Sequence, residues 1–436
     1  MKNKRYIIKE KIHIVSTSPL QVGTDEDSLM LDEMTEKALL PATGIAGAIR
    51  NYIAQYSAFS DRADLVFGSK NDGQKSRLFI EDAVSEEIGT VTKRSRVCID
   101  PETGTAMDKK KFDVTALAEG LTFELHFLAE AYEMEGAAGV KEFCGILHET
   151  AAAINSGMIR FGGQKTNGGG EFKVTAAEEQ ILDLFEPAQL EDYLLDKGSY
   201  KEEPVSEWKT NGRSVAITVR DVDLAPLLIA ADNTFGEGHL DKTGLQNANK
   251  NYYIPGSSLK GILRSQCVRI ADYKGMDDNL IEEIFGKEGD DGQQGSVFVS
   301  DAIIRIKNPP VIYNRIAIDK FTGGAKKGGK FGEQPITGKT EFKLTVQQRK
   351  PELDNLTVGI LLFAIRDLLQ GRSTIGGGFN IGLGRIEGNS ILLEDRSGNT
   401  ELTFDERKDS VYLDAFLRNP QEVNLILRKQ EEEAQA

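Results

Sequence analysis

The chain has 436 residues, 39% hydrophobic and 28% charged, a balance that excludes a disordered polymer and leaves room for two or three domains with cores of their own. No apolar run reaches the ~18 residues of a membrane helix, and no basic start leads into an apolar stretch, so neither spanning nor secretion is expected and the expected location is the cytoplasm. The net charge of −15 is concentrated: residues 177–206 carry nine acidic and two basic side chains and residues 401–436 nine and five, so the rest is near neutral and compatible with a groove lined by basic groups.

In chain order, YIIKEKIHIV from Tyr6 reads as a strand, and a polar loop, VGTDED, follows with Asp25, Glu26 and Asp27; Asp32 lies a little further on. PATGIAGAIR from Pro41 opens a helix in which Ile45, Ile49, Ile53 and Tyr56 recur at spacings of three and four. Pro is tolerated at a helix start, and the Thr43 hydroxyl is expected to accept a backbone N–H there. RLFIEDA from Arg77 and LTFELHFLA from Leu121 read as strands flanking an insertion, RVCIDPETGTA from Arg96, bordered by the basic runs TKRSR and DKKKF. A helix over roughly 137–155, a Gly-rich turn (FGGQKTNGGGEF) and a last strand complete the unit.

The same order then returns. SVAITVRDV from Ser214, FGEGHLD ending at Asp241, PGSSLKGILR from Pro255, SVFVSDA from Ser296, RIAIDKFTGGA from Arg315, TEFKLTVQQ from Thr340, a helix over about 355–370 and IGGGFNIGLGRI from Ile375 repeat it block by block. Asp27 and Asp241, Pro41 and Pro255, and Gly162 and Gly376 are 214 residues apart, while Asp82 and Asp301, and Arg96 and Arg315, are 219 apart. Separated blocks in one order, at an offset that changes once and returns, indicate a duplication. Each half reads βαββαβ, the ferredoxin-like or RRM-like order of an α+β fold, with a hairpin insertion. The expected divisions are a first module over 1–176, an acidic, partly helical connector over 177–212, a second module over 213–398 and an acidic tail over 399–436.

PGSSLKG before a helix, the IDxxTGxA segments and the terminal Gly-rich turns resemble the RAMP superfamily, specifically the backbone subunits of type III CRISPR–Cas effector complexes, here two in tandem. The second module carries the motifs nearly unchanged; the first departs at PATGIAGAIR, where the Ser and Lys are replaced. The resemblance implies that each module holds part of a guide RNA beside other effector subunits, that the IDxxTG segment forms a thumb pushing between bases, and that a loop Asp, matched here by Asp27 and Asp241, cleaves the paired target RNA. Asp25 and Asp32 are rivals to Asp27.

The residues themselves suit that chemistry. Lys260 and Arg264, one turn apart on the helix that starts near Ser257, would offer cations and free N–H groups to a phosphate, and Arg50 alone survives of that pair in the first module. Gly376, Gly377 and Gly378, and the equivalent turn carrying Lys165, allow backbone amides close to an anion, though a Gly run also makes a simple tight bend. Arg96, Arg315 and the run AKKGGK from Ala325 would lie along a nucleic-acid backbone. RNA brings its own nucleophile, the 2′-OH, so a carboxylate that binds Mg²⁺ or another divalent cation, or takes a proton, suffices for cleavage. Loop acids also serve as turn formers, and the alternative is a scaffold that holds guide RNA without cutting; a guide-processing nuclease is a third reading. His13, His126, His148 and His239 show no ligand spacing, and Cys98, Cys144 and Cys267 are too scattered for a disulfide framework or a zinc site, so no metal chemistry is expected of them. No nucleotide-hydrolase or acyl-transfer motif is present.

Overall fold

Alternation builds the first sheet. In β1 (Arg5–Ser16) Ile8, Ile12 and Ile14 are fully buried, while Lys9, Lys11 and His13 between them stay partly exposed, the pattern of a strand with one face on a core. The computed structural model describes residues 4–23, 28–69, 73–99, 106–132, 139–232, 240–287, 292–395, 398–403, 411–416 and 424. They form two compact units, one of Met1–Arg94, Asp113–Lys165 and Gly169–Arg213, the other of Ser95–Phe112, Thr166–Gly168 and Ser214–Ala436.

In the first module α1 (Ala42–Tyr56) follows β1, then β2 (Leu78–Ile80), a hairpin of β3 (Val91–Ile99) and β4 (Ala106–Leu117), β5 (Thr122–Tyr132), α2 (Val140–Asn155) and β6 (Phe172–Asp183). The sheet order is β2-β5-β1-β6, antiparallel throughout. That is the ferredoxin-like arrangement expected of βαββαβ, with the hairpin between its second and third strands. Ile45, Ile49 and Ile53 of α1 and Phe143, Ile146 and Leu147 of α2 bury their faces in one core with β1 and β5.

The second module repeats it: β7 (Ser214–Leu227), short strands β8 (Ala230–Asp232) and β9 (Lys242–Gly244), α3 (Gly256–Lys274), β10 (Val297–Val299) with β11 (Ala302–Ile306), a hairpin of β12 (Tyr313–Ile318) and β13 (Ala325–Gln334), β14 (Ile336–Gln347), α4 (Pro351–Leu369) and β15 (Ser390–Asp395). Here β14 lies between β11 and β7, and β15 flanks β7 on its other side.

Three expectations need correction. The helix starts are not capped by Thr43 or Ser257; no side chain of either helix caps it. Instead the Ala42 N–H donates to Asp82 Oδ1 (2.6 Å) and the Gly256 N–H to Asp301 Oδ1 (2.8 Å), so the repeated Asp after the second strand reaches across to the helix. The first module does not end at 176, because β6 pairs with β1 as far as Asp183, beyond which the acidic segment stays attached: Trp208 stacks on His148, and Asn211 and Tyr52 bond the buried Glu149. The second sheet likewise continues past 398, through a further strand over Gly398–Thr403 paired with β15, and the helix Val411–Phe416 buries Tyr412 and Phe416 in the second core. Apolar residues inside the two acidic segments, invisible to a charge count, hold them down. Among the described residues no helix is long and apolar enough to cross a membrane.

Candidate nucleic-acid interface

At the start of α3 the backbone turns from Pro255 into the helix, and Asp301 takes the first N–H. Ser257 follows, half-buried, its hydroxyl without a hydrogen-bond partner among the described residues. Lys260 sits one turn on. Its stem packs into the module, and burial first, then the neighbouring Arg264, draws its ammonium pKa down to about 8. No carboxylate among the described residues pairs with Lys260 or with the exposed Arg264. Two cations one turn apart near a helix N-terminus form a place where an anion is favoured.

The first module lacks this. Ala46 stands where Lys260 does, Thr43 where Ser257 does, and Arg50 is ion-paired with Asp64 at 2.6 Å. Arg50, expected as an RNA contact, thus has an exposed carboxylate partner within its own module.

The Gly-rich turns match position by position. Gly162, Gln164, Gly168 and Gly170 have φ of 80°, 53°, 88° and 70°, and Gly376, Gly378, Gly382 and Gly384 have 80°, 78°, 84° and 83°. A short 3₁₀ turn occupies Lys165–Asn167 in one and Phe379–Ile381 in the other. A Cβ on Gly170 or Gly384 would run into the carbonyl of Phe161 or Ile375. The N–H groups of Gly163 and Gly377 donate to the carbonyls of Gln21 and Leu228, so the Gly377 amide is spent on the bend and not offered to a ligand. Gly376 and Gly378 shape the turn beside it. Lys165 is half-buried, and burial lowers its pKa; the buried Arg160 holds its carbonyl and pairs with Glu171 at 3.3 Å.

The thumb of the second module explains its IDxxTG sequence. Asp319 Oδ1 accepts the N–H groups of Phe321 (3.0 Å) and Thr322 (2.9 Å) and the Thr322 hydroxyl (3.1 Å), which pulls the Asp319 carboxyl below its ordinary range, and Gly323 closes the turn at φ 64°. The hairpin exposes apolar side chains: Ile316, Ile318 and Phe321 are 53%, 59% and 86% accessible. Val97, Ile99, Met107 and Phe112 are similarly open on the first thumb, whose tip lies outside the described residues. Sequence reasoning missed these side chains, although alternation on a two-residue-wide ribbon with no cover would have pointed to them. Arg315, expected along the RNA, is instead ion-paired at the thumb's root with the buried Glu333 (2.9 Å), which Lys242 also meets at 3.3 Å. Arg96, its equivalent, is half-buried in β3.

Asp241 stands at the same root. Its carboxylate Oδ2 accepts the Gly332 N–H at 2.7 Å, and its own N–H donates to the Gly332 carbonyl. The side chain is exposed, and Oδ1 has no partner among the described residues. Asp32 is a turn former: its Oδ1 takes the N–H (2.8 Å) and the hydroxyl (2.6 Å) of Thr35, which lowers its pKa. Asp25 and Asp27 lie outside the described residues.

The sequence profile of the RAMP superfamily matches residues 13–173 and 224–387, one stretch per module and most of the chain, and the protein belongs to that superfamily. Each match spans the two helices, the hairpin insertion and the third strand of one module, so the chain is a tandem RAMP protein. Among solved structures it is similar to a chain of a type III-B Cmr-beta complex bound to cognate target RNA, at 14% identity and a TM-score of 0.31. That alignment covers 41% of this chain and 61% of the other, so the chain spans less than two thirds of that relative. No curated protein matches.

Proposed function

We propose that this protein is a tandem backbone subunit of a type III CRISPR effector complex, holding guide RNA and cleaving the target RNA paired to it. The observation that carries the binding reading is the half-buried Lys260 beside Arg264, two cations with no described carboxylate to neutralise them at a helix start. A phosphate supplies the missing charge, and repeated contacts of this kind give sequence-independent, salt-sensitive affinity. Contacts to further effector subunits along one RNA would be head-to-tail and open-ended.

For cleavage, the exposed thumb side chains Ile316, Ile318 and Phe321 offer a wedge that unstacks a base, and Asp241 lies at the root of the same hairpin. Unstacking lets the 2′-OH line up with the adjacent phosphorus and the departing 5′ oxygen. Asp241, held by Gly332 through one oxygen, keeps the other for a proton or a hydrated divalent cation; Mg²⁺ accepts such a site because it retains most of its waters. The cation, when bound, supplies positive charge to the developing phosphorane. Asp27 has the matching role in the first module.

A scaffold reading, guide binding without cutting, rests on the same Asp241–Gly332 bond, which is reason enough for an Asp at that position. Complexes assembled with wild-type chain, Asp27→Ala, Asp241→Ala or both, given end-labelled target, separate the two. The cleavage reading expects loss of the product bands assigned to each altered module with guide content unchanged; unaltered bands in the double variant leave only the scaffold.

A further inference from the structure

Alternation along β1 sets Ile8, Glu10, Ile12 and Ile14 on the face beneath α2, and Glu10 is only 1% exposed there. Its cross-strand partner in β6 is another acid, Glu179. Like charges directly opposed in a sheet repel, and burial worsens it. α2 brings His148, whose Nε2 is 3.6 Å from Glu179 Oε1, and, one turn earlier, Cys144, a thiol whose pKa burial and the nearby Glu179 push up. One donor atom each from Glu10, His148 and Glu179 lies within 4.8 Å of the others. Both Glu10 oxygens are buried with no hydrogen-bond partner, and the buried His148 Nε2 and Glu179 Oε1 face each other beyond hydrogen-bond length. Burial, then Glu179 and Glu203, holds the Glu10 carboxyl well above its ordinary range.

The second module shows what the fold itself requires at these places. Across β7 and β15 Ile217 faces Leu393, and at the 214 offset Val358 and Leu362 in α4 stand where Cys144 and His148 do. All four are buried. Where one module packs four apolar side chains, the other has two carboxylates, an imidazole and a thiol.

We propose that Glu10, His148 and Glu179 form a site for a divalent transition metal, Zn²⁺ foremost, with a water completing its four ligands, which fastens α2 to the first sheet. One imidazole and two carboxylates suit Zn²⁺ and not a hard cation, which would take oxygen alone. Tetrahedral bonds of about 2.0–2.1 Å put neighbouring N and O donors about 3.3 Å apart, close to the 3.6 Å between His148 and Glu179; the Glu10 oxygen lies within 4.8 Å of both. Trp208, stacked on the His148 ring at 4.1 Å, fixes the imidazole and carries the downstream segment with it. The histidines show no ligand spacing along the chain; the sheet register and the helix turn create it.

Trp208 is the single tryptophan of the protein, so its emission reports occupancy. The full chain, stripped with a chelator and titrated with Zn²⁺, is expected to retain one equivalent after desalting, change its tryptophan emission saturably and gain several degrees in Tm. Co²⁺ is expected to give the visible absorption of a four-coordinate site, which Cys144→Ser leaves in place. Glu10→Gln and His148→Gln lose the equivalent and the emission change, while Lys260→Ala keeps both. A variant with the packing of the second module, Glu10→Ile, Cys144→Val, His148→Leu and Glu179→Leu together, is expected to fold with a Tm indifferent to Zn²⁺ and chelator. The proposal is overturned if the folded wild-type chain retains no zinc, or if the Gln variants or the fourfold variant retain one equivalent with the same emission change.

Discussion

Lys260 holds its charge at the expense of stability. Its folded pKa of about 8 lies below the ordinary lysine value of 10.5, so a charged Lys260 at neutral pH costs the free protein roughly 3 kcal/mol, at about 1.4 kcal/mol per pKa unit. Between these two values the unfolded chain binds a proton that the folded chain has released, so the wild-type fold gains stability as pH rises through that window and the full penalty is present below it. Lys260→Met is therefore expected to raise Tm near pH 7, and the advantage to shrink as pH climbs from 8 to 10; circular-dichroism melts of both proteins across pH test it. Arg50 is the opposite case. Its partner Asp64 is on the surface, and such pairs contribute about 0–1 kcal/mol.

At the scale of elements, each module's first helix depends on a residue from a loop that follows a different strand. Asp82 and Asp301 lie far from Ala42 and Gly256 in sequence, yet each takes the first N–H of the helix, doing from a neighbouring loop what an N-cap does locally. Asp301→Ala is expected to cost about 1 kcal/mol in urea unfolding, within the usual range for a lost cap, and the more exposed Asp82→Ala less; an unchanged midpoint for Asp301→Ala would remove the capping role. The thumbs follow another rule. Asp319 organises a tight tip and the strands leave apolar side chains uncovered, a combination that favours contact with a stacked partner.

For the whole molecule, two copies of one fold have diverged in what they hold. The second keeps Lys260 and Arg264 with no carboxylate partner among the described residues, while the first has Ala46 and an ion-paired Arg50 and carries buried polar side chains around Glu10. RNA affinity should therefore be carried unequally. Lys260→Ala with Arg264→Ala is expected to weaken binding of single-stranded guide at least tenfold and to flatten the log–log salt dependence by about 1–2 units, since each lost phosphate contact removes roughly 0.7. Arg50→Ala should change neither quantity by a comparable amount, as fluorescence anisotropy over a salt series would show.

The duplication, the βαββαβ order and the thumb position were legible in the sequence, because repeated blocks and period-two and three-to-four spacings are local properties of a chain. So was the positive cluster of Lys260 and Arg264, which one helical turn brings together. The neutralising partners were not: Asp64 for Arg50 and Glu333 for Arg315 lie fourteen and eighteen residues away and meet them only through packing. Nor was the extent of either module, since Trp208, Tyr412 and Phe416 anchor stretches that net charge makes look free. Glu10 stands in an apolar row that the alternation of YIIKEKIHIV already exposes, but its facing acid, its histidine and its thiol come from a distant strand and helix. Spacing along the chain decides which elements form; which charges cancel, and which are left needing a partner, is decided by distances that exist only after the sheet has closed.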